Sequence, residues 1–227
     1  MPGTRRSPAA SPAAPRTYRG ASAEDRRLDR QARFREAAFE AFARLGIAHT
    51  TMRDICVQAR LSDRYFYESF ESTEHAFNAV YQWQRQMLLE RIGMALQEAP
   101  KNVPDLARAG LGAFYAFLQE DLRRARLVVD AFGASQHSAD KSREAVAQYV
   151  VMIGQLGDVL YPQTRDRLNT EMVVSSLVSM AIQVAKVWAN QGFKQPIDEL
   201  VDYNLFAWRG LHDWLSRWPT APGSQAA

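Results

Sequence analysis

The chain has 227 residues, 47% of them apolar or aromatic, enough for one large or two small domains with a real core. The formal net charge of +3 is too small to argue by itself for a nucleic-acid partner, and a single cysteine excludes a disulfide within the chain. The placement of charge says more. Residues 1–70 hold 13 Arg against 8 Asp and Glu, whereas residues 71–227 hold 15 Lys and Arg against 17 acids. The basic front of the chain is therefore entirely arginine, the side chain suited to bidentate contacts with phosphate and guanine. A solvated, Arg-rich surface is the alternative reading.

Residues 1–22 are rich in Pro, Ala, Ser and Gly and show no periodicity, which predicts a disordered basic arm carrying Arg5, Arg6, Arg16 and Arg19. A first helix is expected from about Glu24 to Leu45, because Phe34, Ala38, Ala41, Phe42 and Leu45 form one apolar stripe and Gly46 follows. Thr51 and Asp54 then have capping-box spacing and open a second helix, with Met52, Ile55, Cys56 and Ala59 on its buried face. Cys56 on that stripe reads as a small buried side chain rather than a nucleophile.

A third helix follows Ser62 as N-cap. Leu61 and Phe66 have hydrophobic-staple spacing, and Phe66 and Phe70 point inward at i and i+4. That leaves Asp63, Arg64, Tyr65, Tyr67, Glu68 and Ser69 facing outward. Two short helices joined by a tight turn, the second poor in buried residues and rich in Arg and Tyr, form the pattern of a helix-turn-helix. Ser72 caps a long fourth helix to about Glu98. Further helices are predicted over 103–119, 121–132, 139–160, 168–191 and 196–218, with breaks at Pro100, Gly133, Pro162, Gly192 and Pro196. No stretch alternates as a strand, so the expected fold is all-α with about nine helices.

There is no apolar leader, and the stretch Met172–Trp188 is interrupted by Ser175, Ser176, Ser179, Gln183 and Lys186. The expectation is a soluble, cytoplasmic protein without a signal peptide or a membrane partner.

From Arg33 to Val80 the runs AAFEAFARLGI, TTMRDI, LSDRYFYESF and ESTEHAFNAVY, in that order and spacing, resemble the N-terminal domain of the TetR (tetracycline-repressor-like) transcriptional regulators. The resemblance covers about 50 residues; the last 130 match such proteins only in size and helical character. It implies a disordered arm (1–22), a helix-turn-helix DNA-binding domain (23–72) and a helical effector-binding and dimerisation domain (73–227). It also implies a dimeric regulator, by default a repressor, on a palindromic double-stranded operator, released by a small-molecule effector. A ligand-independent or activating regulator of the same fold is the alternative.

Carried over by position, Thr51, Arg53, Tyr67, Ser69 and Thr73 fall where the family meets backbone phosphates. Ser62, Asp63, Arg64 and Tyr65 fall where base edges are read; Arg64 suits guanine and Asp63 suits cytosine. Three positions depart from the family pattern: Arg60 replaces a turn glycine, Arg64 a small residue, and Thr73 a lysine.

The resemblance further implies a four-helix dimer interface built from the last two helices. The residues agree with it: Ile197, Val201, Asn204, Trp208, Leu211, Leu215 and Trp218 form one seam, widened by Leu200 and Trp214. The preceding helix is apolar on several sides, through Val174, Leu177, Val178 and Ala181 among others. The other reading of those helices is intramolecular core. An effector pocket, also implied by resemblance, has as candidate lining Tyr81, Trp83, Met87, Phe114, Phe117, Phe132, Tyr149, Met152, Met180, Gln183 and Trp188. These side chains suit a lipophilic or aromatic molecule.

A helical enzyme and a helical interaction protein are the rival classes. His49, His75, His137 and His212 are scattered without metal-ligand spacing, and no phosphate loop, nucleophile elbow or isolated carboxylate pair is present. No catalytic residue, metal or cofactor is expected.

Overall fold

The computed structural model describes residues 22–131, 136–164 and 168–217, with backbone alone for 129–131 and 136–145. Residues 1–21 of the expected N-terminal arm, with Phe132, Gly133 and Trp218, lie outside the residues whose side chains are described. Ser22, the last residue assigned to that arm, belongs to the start of α1 as its N-cap. Among the described residues there are nine α-helices, two short 3-10 turns and no strand. The helices are α1 (Ala23–Leu45), α2 (Met52–Ala59), α3 (Asp63–Ser69), α4 (Thr73–Glu98), α5 (Val103–Glu120), α6 (Leu122–Ala131), α7 (Gln136–Leu160), α8 (Thr170–Asn190) and α9 (Ile197–Ser216).

Local chemistry explains most of these boundaries. Free N–H groups in the first turn of a helix are satisfied by short polar side chains. Ser22 and Asp25 form a capping box on α1, and Thr51 and Asp54 form the expected one on α2. Ser72 Oγ accepts from His75 N at 3.0 Å, Asn102 Oδ1 from Asp105 N at 3.0 Å, and Asn169 Oδ1 from Met172 N at 2.9 Å. Gly46, at φ 84°, ends α1. Ser62 occupies the N-cap position of α3, but its side chain makes no capping hydrogen bond.

Two clusters of buried side chains organise the molecule. The first joins α1, α2 and α3 through Phe34, Phe42, Ile55, Cys56, Phe66 and Phe70. It extends into α4 through Phe77 and Val80, and into α6 through Leu127. Its rings meet edge to face, Phe34 with Phe66 at 5.7 Å and Phe42 with Phe77 at 5.4 Å, the arrangement favoured by the aromatic quadrupole. The second cluster takes Leu88 and Ile92 from the later turns of α4. It adds Leu111, Tyr115 and Leu118 of α5, Trp188 of α8, and Leu200 and Val201 of α9. Helix α4 is thus shared between the two cores.

Helix α8 is long and apolar enough to cross a membrane by length and composition, with a mean hydropathy of 1.5, despite the polar interruptions noted above. Its Val174, Leu177, Ala181, Ala185 and Trp188 are buried within the protomer, so its apolar character serves the core of this fold.

Candidate DNA-binding surface and ligand cavity

The turn between α2 and α3 closes without glycine. Arg60 sits in the left-handed region at φ 54°, ψ 44°. Its N–H donates to the Val57 carbonyl at 3.2 Å, and the Leu61 N–H donates to the Cys56 carbonyl at 3.2 Å. These two bonds form a Schellman closure, which satisfies the last carbonyls of α2 and sets the direction of α3. From α1, Arg33 Nη2 adds a bond to the Ala59 carbonyl at 2.9 Å.

Phe66 and Phe70 anchor α3 to the core, leaving Ser62, Asp63, Arg64, Tyr65, Tyr67 and Glu68 exposed on the opposite side. The Arg64 side chain is 86% exposed and reaches Glu68 at 3.3 Å. The Tyr65 ring lies beneath the guanidinium of Arg30 at 4.6 Å, and Arg30 also approaches Glu68 at 3.8 Å. Arg30, which the sequence pattern did not single out, therefore steadies two residues of α3 from one turn of α1.

The hydroxyls of this surface are not equally free. Thr51 Oγ1 donates to the Asp54 carboxylate at 2.6 Å, and the Thr51 N–H donates to the same group at 2.9 Å. These bonds hold the Asp54 carboxyl below the usual carboxylate range. Ser69 Oγ donates to the Tyr65 carbonyl at 3.1 Å. Arg53 is exposed without an ion pair among the described residues, and Thr73 is half-buried at the start of α4.

Behind this surface lies a cavity of about 220 Å³ enclosed by α4, α5, α6, α7, α8 and α9. Of the expected lining, Tyr81, Phe114, Phe117, Tyr149 and Met152 are on its wall. Trp83, Met87, Met180, Gln183 and Trp188 are not. Trp83 packs edge to face on Phe39 and carries Arg35 over its ring at 4.6 Å. Met87 packs against the second core, Met180 is half-buried away from the cavity, and Gln183 is exposed. Trp188 is fully buried and donates to the Gln195 carbonyl at 3.1 Å. Helical spacing located these side chains on apolar helices but could not say which side of each helix faces the cavity.

The same limit applies to the residues of the expected dimer seam, many of which face inward. Val174, Leu177, Ala181, Val201, Asn204 and Leu215 are buried within the protomer, and Val178, Trp208 and Leu211 are half-buried. Val174, Leu177, Val178, Ala181, Trp208, Leu211 and Leu215 line the cavity, while Val201 and Asn204 pack inside the protomer. The unusual apolar width of α8 and α9 reflects a tunnel wall on their inner side. Their outer side exposes Met172, Val187, Tyr203, Phe206 and Trp214.

Several polar groups on the cavity wall escaped the sequence reading. Gln84 is buried and its Oε1 has no partner; Arg85 Nε and Nη1, Arg124 Nε and Trp208 Nε1 are likewise buried and unpartnered. Gln84 did have a signal, since it falls within the stripe Phe77, Val80, Gln84, Leu88, Ile92, where an apolar residue is expected. Burial, with Tyr81 nearby, raises the Tyr149 phenol far above its ordinary value, partly offset by Arg85.

Adjacent to Arg124, Arg123 faces the other way. It binds Glu36 at 3.0 Å and Glu40 at 2.9 Å on α1, together with Asp121 at 2.7 Å, and its guanidinium lies 4.4 Å from the Phe39 ring centroid. No sequence pattern signals this cluster, in which Arg123 lies more than 80 residues from Glu36 and Glu40.

Residues 34–80, which contain the whole helix-turn-helix and the first turns of α4, match the family described as bacterial regulatory proteins, tetR family. That match assigns the helix-turn-helix segment to the tetR family of bacterial regulatory proteins. A comparison with curated proteins finds no match. Among solved structures, the chain is similar to the fatty acid degradation regulator FadR of Bacillus halodurans, with 16% identity and a TM-score of 0.69 over 80% of this chain and 95% of that one. A TetR-like transcriptional regulator of Rhodococcus sp. RHA1 shares 22% identity with a TM-score of 0.63, covering 80% of this chain and 95% of the other. FadR of Bacillus subtilis, in complex with stearoyl-CoA, gives 15% identity and 0.66 over 78% and 96%. These likenesses extend the tetR-family fold through α9, and the helix-turn-helix identifies a DNA-binding transcriptional regulator.

Proposed function

We propose that this tetR-family regulator is a repressor that binds a palindromic operator as a homodimer and releases it when an apolar small molecule enters the cavity. The observation that carries the reading is the course of α4. It starts directly after α3, contributes Phe77 and Val80 to the core beneath the helix-turn-helix, and then lines the cavity from Tyr81 to Leu96. A molecule that prefers one position of α4 must bias the position of α3 by its difference in affinity between the two states. The stearoyl-CoA held by the Bacillus subtilis relative supports an apolar effector.

On the DNA, Arg64, Asp63, Tyr65 and Ser62 read base edges, while Arg53, Tyr67, Thr51, Ser69 and Thr73 position the domain on phosphates. Arg53 and Tyr67 carry the larger share, because the hydroxyl protons of Thr51 and Ser69 are already donated inside the protein. The dimer forms through the outer side of α8 and α9, around Met172, Val187, Tyr203, Phe206 and Trp214. Open space around Gly210 lets a second helix approach closely there. Such a dimer sets two α3 helices about 34–36 Å apart, matching major grooves one turn apart.

Selection of bound DNA from a random pool tests the reading, with Phe206→Glu as a companion variant. The expected outcome is a two-fold symmetric site whose half-sites are about one helical turn apart, and a monomeric Phe206→Glu protein with weak binding. A monomer that binds one half-site as tightly as the dimer binds the full site overturns it.

A further inference from the structure

The cavity is long, and most of its unpartnered polar groups gather toward one end. Its lining on α4 runs from Tyr81 to Leu96, a rise of about 22 Å at 1.5 Å per residue. A volume of about 220 Å³ drawn out over that length is a tunnel rather than a chamber. Further along, the wall holds Leu96, Val103, Leu106 and Leu156, together with Asp158, Tyr161 and Thr164, each of which is engaged within the protein. The near end, next to the DNA-binding domain, gathers Tyr81, Gln84 and Arg85 of α4 with Tyr149 of α7 and Arg124 of α6.

At that end the hydrogen-bond account does not close. Buried donors normally have partners, because an unmade bond leaves the full desolvation cost in place. Arg85 donates through Nη2 to Gln82, yet its Nε and Nη1 are buried with nothing to receive them. Arg124 Nε is also unpartnered, although its Nη1 donates to the Phe117 carbonyl at 2.8 Å and pairs with Glu120 at 3.4 Å. No carboxylate pairs with Arg85 among the described residues. The neighbouring Tyr149 hydroxyl is a further donor, and Gln84 is 94% buried without a partner for Oε1. Further along the tunnel, Trp208 Nε1 is a single unpartnered polar atom, against four on Gln84, Arg85 and Arg124.

We propose that the effector is an amphipathic acid, a single hydrocarbon chain in the tunnel with its anionic head group received by Arg85, Arg124 and Tyr149. A carboxylate is acceptor-only and can accept from Arg85 Nε or Nη1, which lie on different edges of the guanidinium, and from the donors beside it. The chain fills the apolar length, and the head sits beside the turns of α4 and α6 that lead into the DNA-binding domain. This inference rests on the effector-released repressor reading and names the chemistry of its ligand. Free acids and acyl thioesters share the hydrocarbon chain, so the test separates them.

Calorimetry on the full-length protein with dodecanoate, 1-dodecanol and dodecanoyl-CoA provides that test, with operator release measured in parallel. Dodecanoate is expected to bind at least about tenfold more tightly than the alcohol, the scale of one charge-assisted hydrogen bond. Arg85→Met removes that preference and leaves the alcohol unchanged. Tyr149→Phe, which keeps the packing, reduces the preference in the same direction and serves if Arg85→Met does not fold. Equal affinity for acid and alcohol overturns the proposal, as does binding of the thioester without binding of the acid. Should dodecanoate bind as expected without releasing the operator, the repressor reading fails while the assignment of the ligand stands.

Discussion

Two arginines on the DNA-facing surface differ in what surrounds them, and that difference separates their expected roles. Arg64 projects from the first turn of α3 with only the exposed Glu68 nearby. Arg64→Ala is expected to cost about 1–3 kcal/mol on the preferred operator and to relax selectivity at one base position. Arg53→Ala should instead weaken all sequences alike and reduce the salt slope by about one. Filter or fluorescence titrations over a salt series distinguish the two.

Cys56 makes a different residue-scale prediction. Burial, with the Asp63 carboxylate adding to it, pushes the Cys56 thiol up to about 11. The thiolate is the reactive form, so the thiol should resist alkylation at mildly basic pH until the protein unfolds. A raised acid pKa stabilises the folded state fully below the unfolded value near 9.0, and that contribution is lost as pH rises through about 11. Cys56→Ser should remove this decline from the pH dependence of unfolding.

At the scale of helices, the junction of α5, α8 and α9 is held by a short polar relay inside an apolar core. Tyr115 Oη donates to the Ala181 carbonyl at 3.1 Å and accepts from Asn204 Nδ2 at 2.8 Å; the same nitrogen reaches the Leu200 carbonyl at 2.9 Å. Tyr115→Phe is expected to destabilise the protein by about 1–2 kcal/mol in urea unfolding, because the Ala181 and Asn204 groups lose a buried partner. Asn204 also shows where sequence reading reached and where it stopped. Its spacing with Val201 and Trp208 correctly placed all three on one face of α9. The direction of that face was not legible, since a helix stripe looks the same whether it meets a neighbouring helix, a tunnel or another copy. The helix boundaries, by contrast, were readable from Thr51, Ser72 and Gly46, whose effects act within one turn. The tunnel's polar end was nearly readable in Gln84, whereas Arg85 looked like any charged residue on a long helix.

For the whole molecule, the connection between cavity and DNA-binding surface has two strands. One is α4. The other is the start of α6, where Arg124 lines the cavity and Arg123 grips Glu36, Glu40 and the Phe39 ring on α1. The surrounding carboxylates, Asp121 first, raise the Arg123 guanidinium above its already high value, so it stays charged across the accessible pH range. Arg123→Met should keep the fold through its packing on Phe39 while loosening α6 from α1. The expected result is a loss of about 0.5–2 kcal/mol from the coupling between effector and operator. Operator titrations with saturating effector and without it measure that quantity. Unchanged coupling would assign transmission to α4 alone.

The two-sided use of α8 and α9 reaches beyond a single protomer. Their inner faces enclose the tunnel, and their outer faces carry the exposed Met172, Val187, Phe206 and Trp214. In the proposed dimer these helices are party walls, with one occupant's room on each side. A molecule entering one tunnel then presses on the other without touching it, and the second site is filled on terms already altered by the first. Effector binding should accordingly depart from a simple hyperbola in the dimer and return to one in Phe206→Glu.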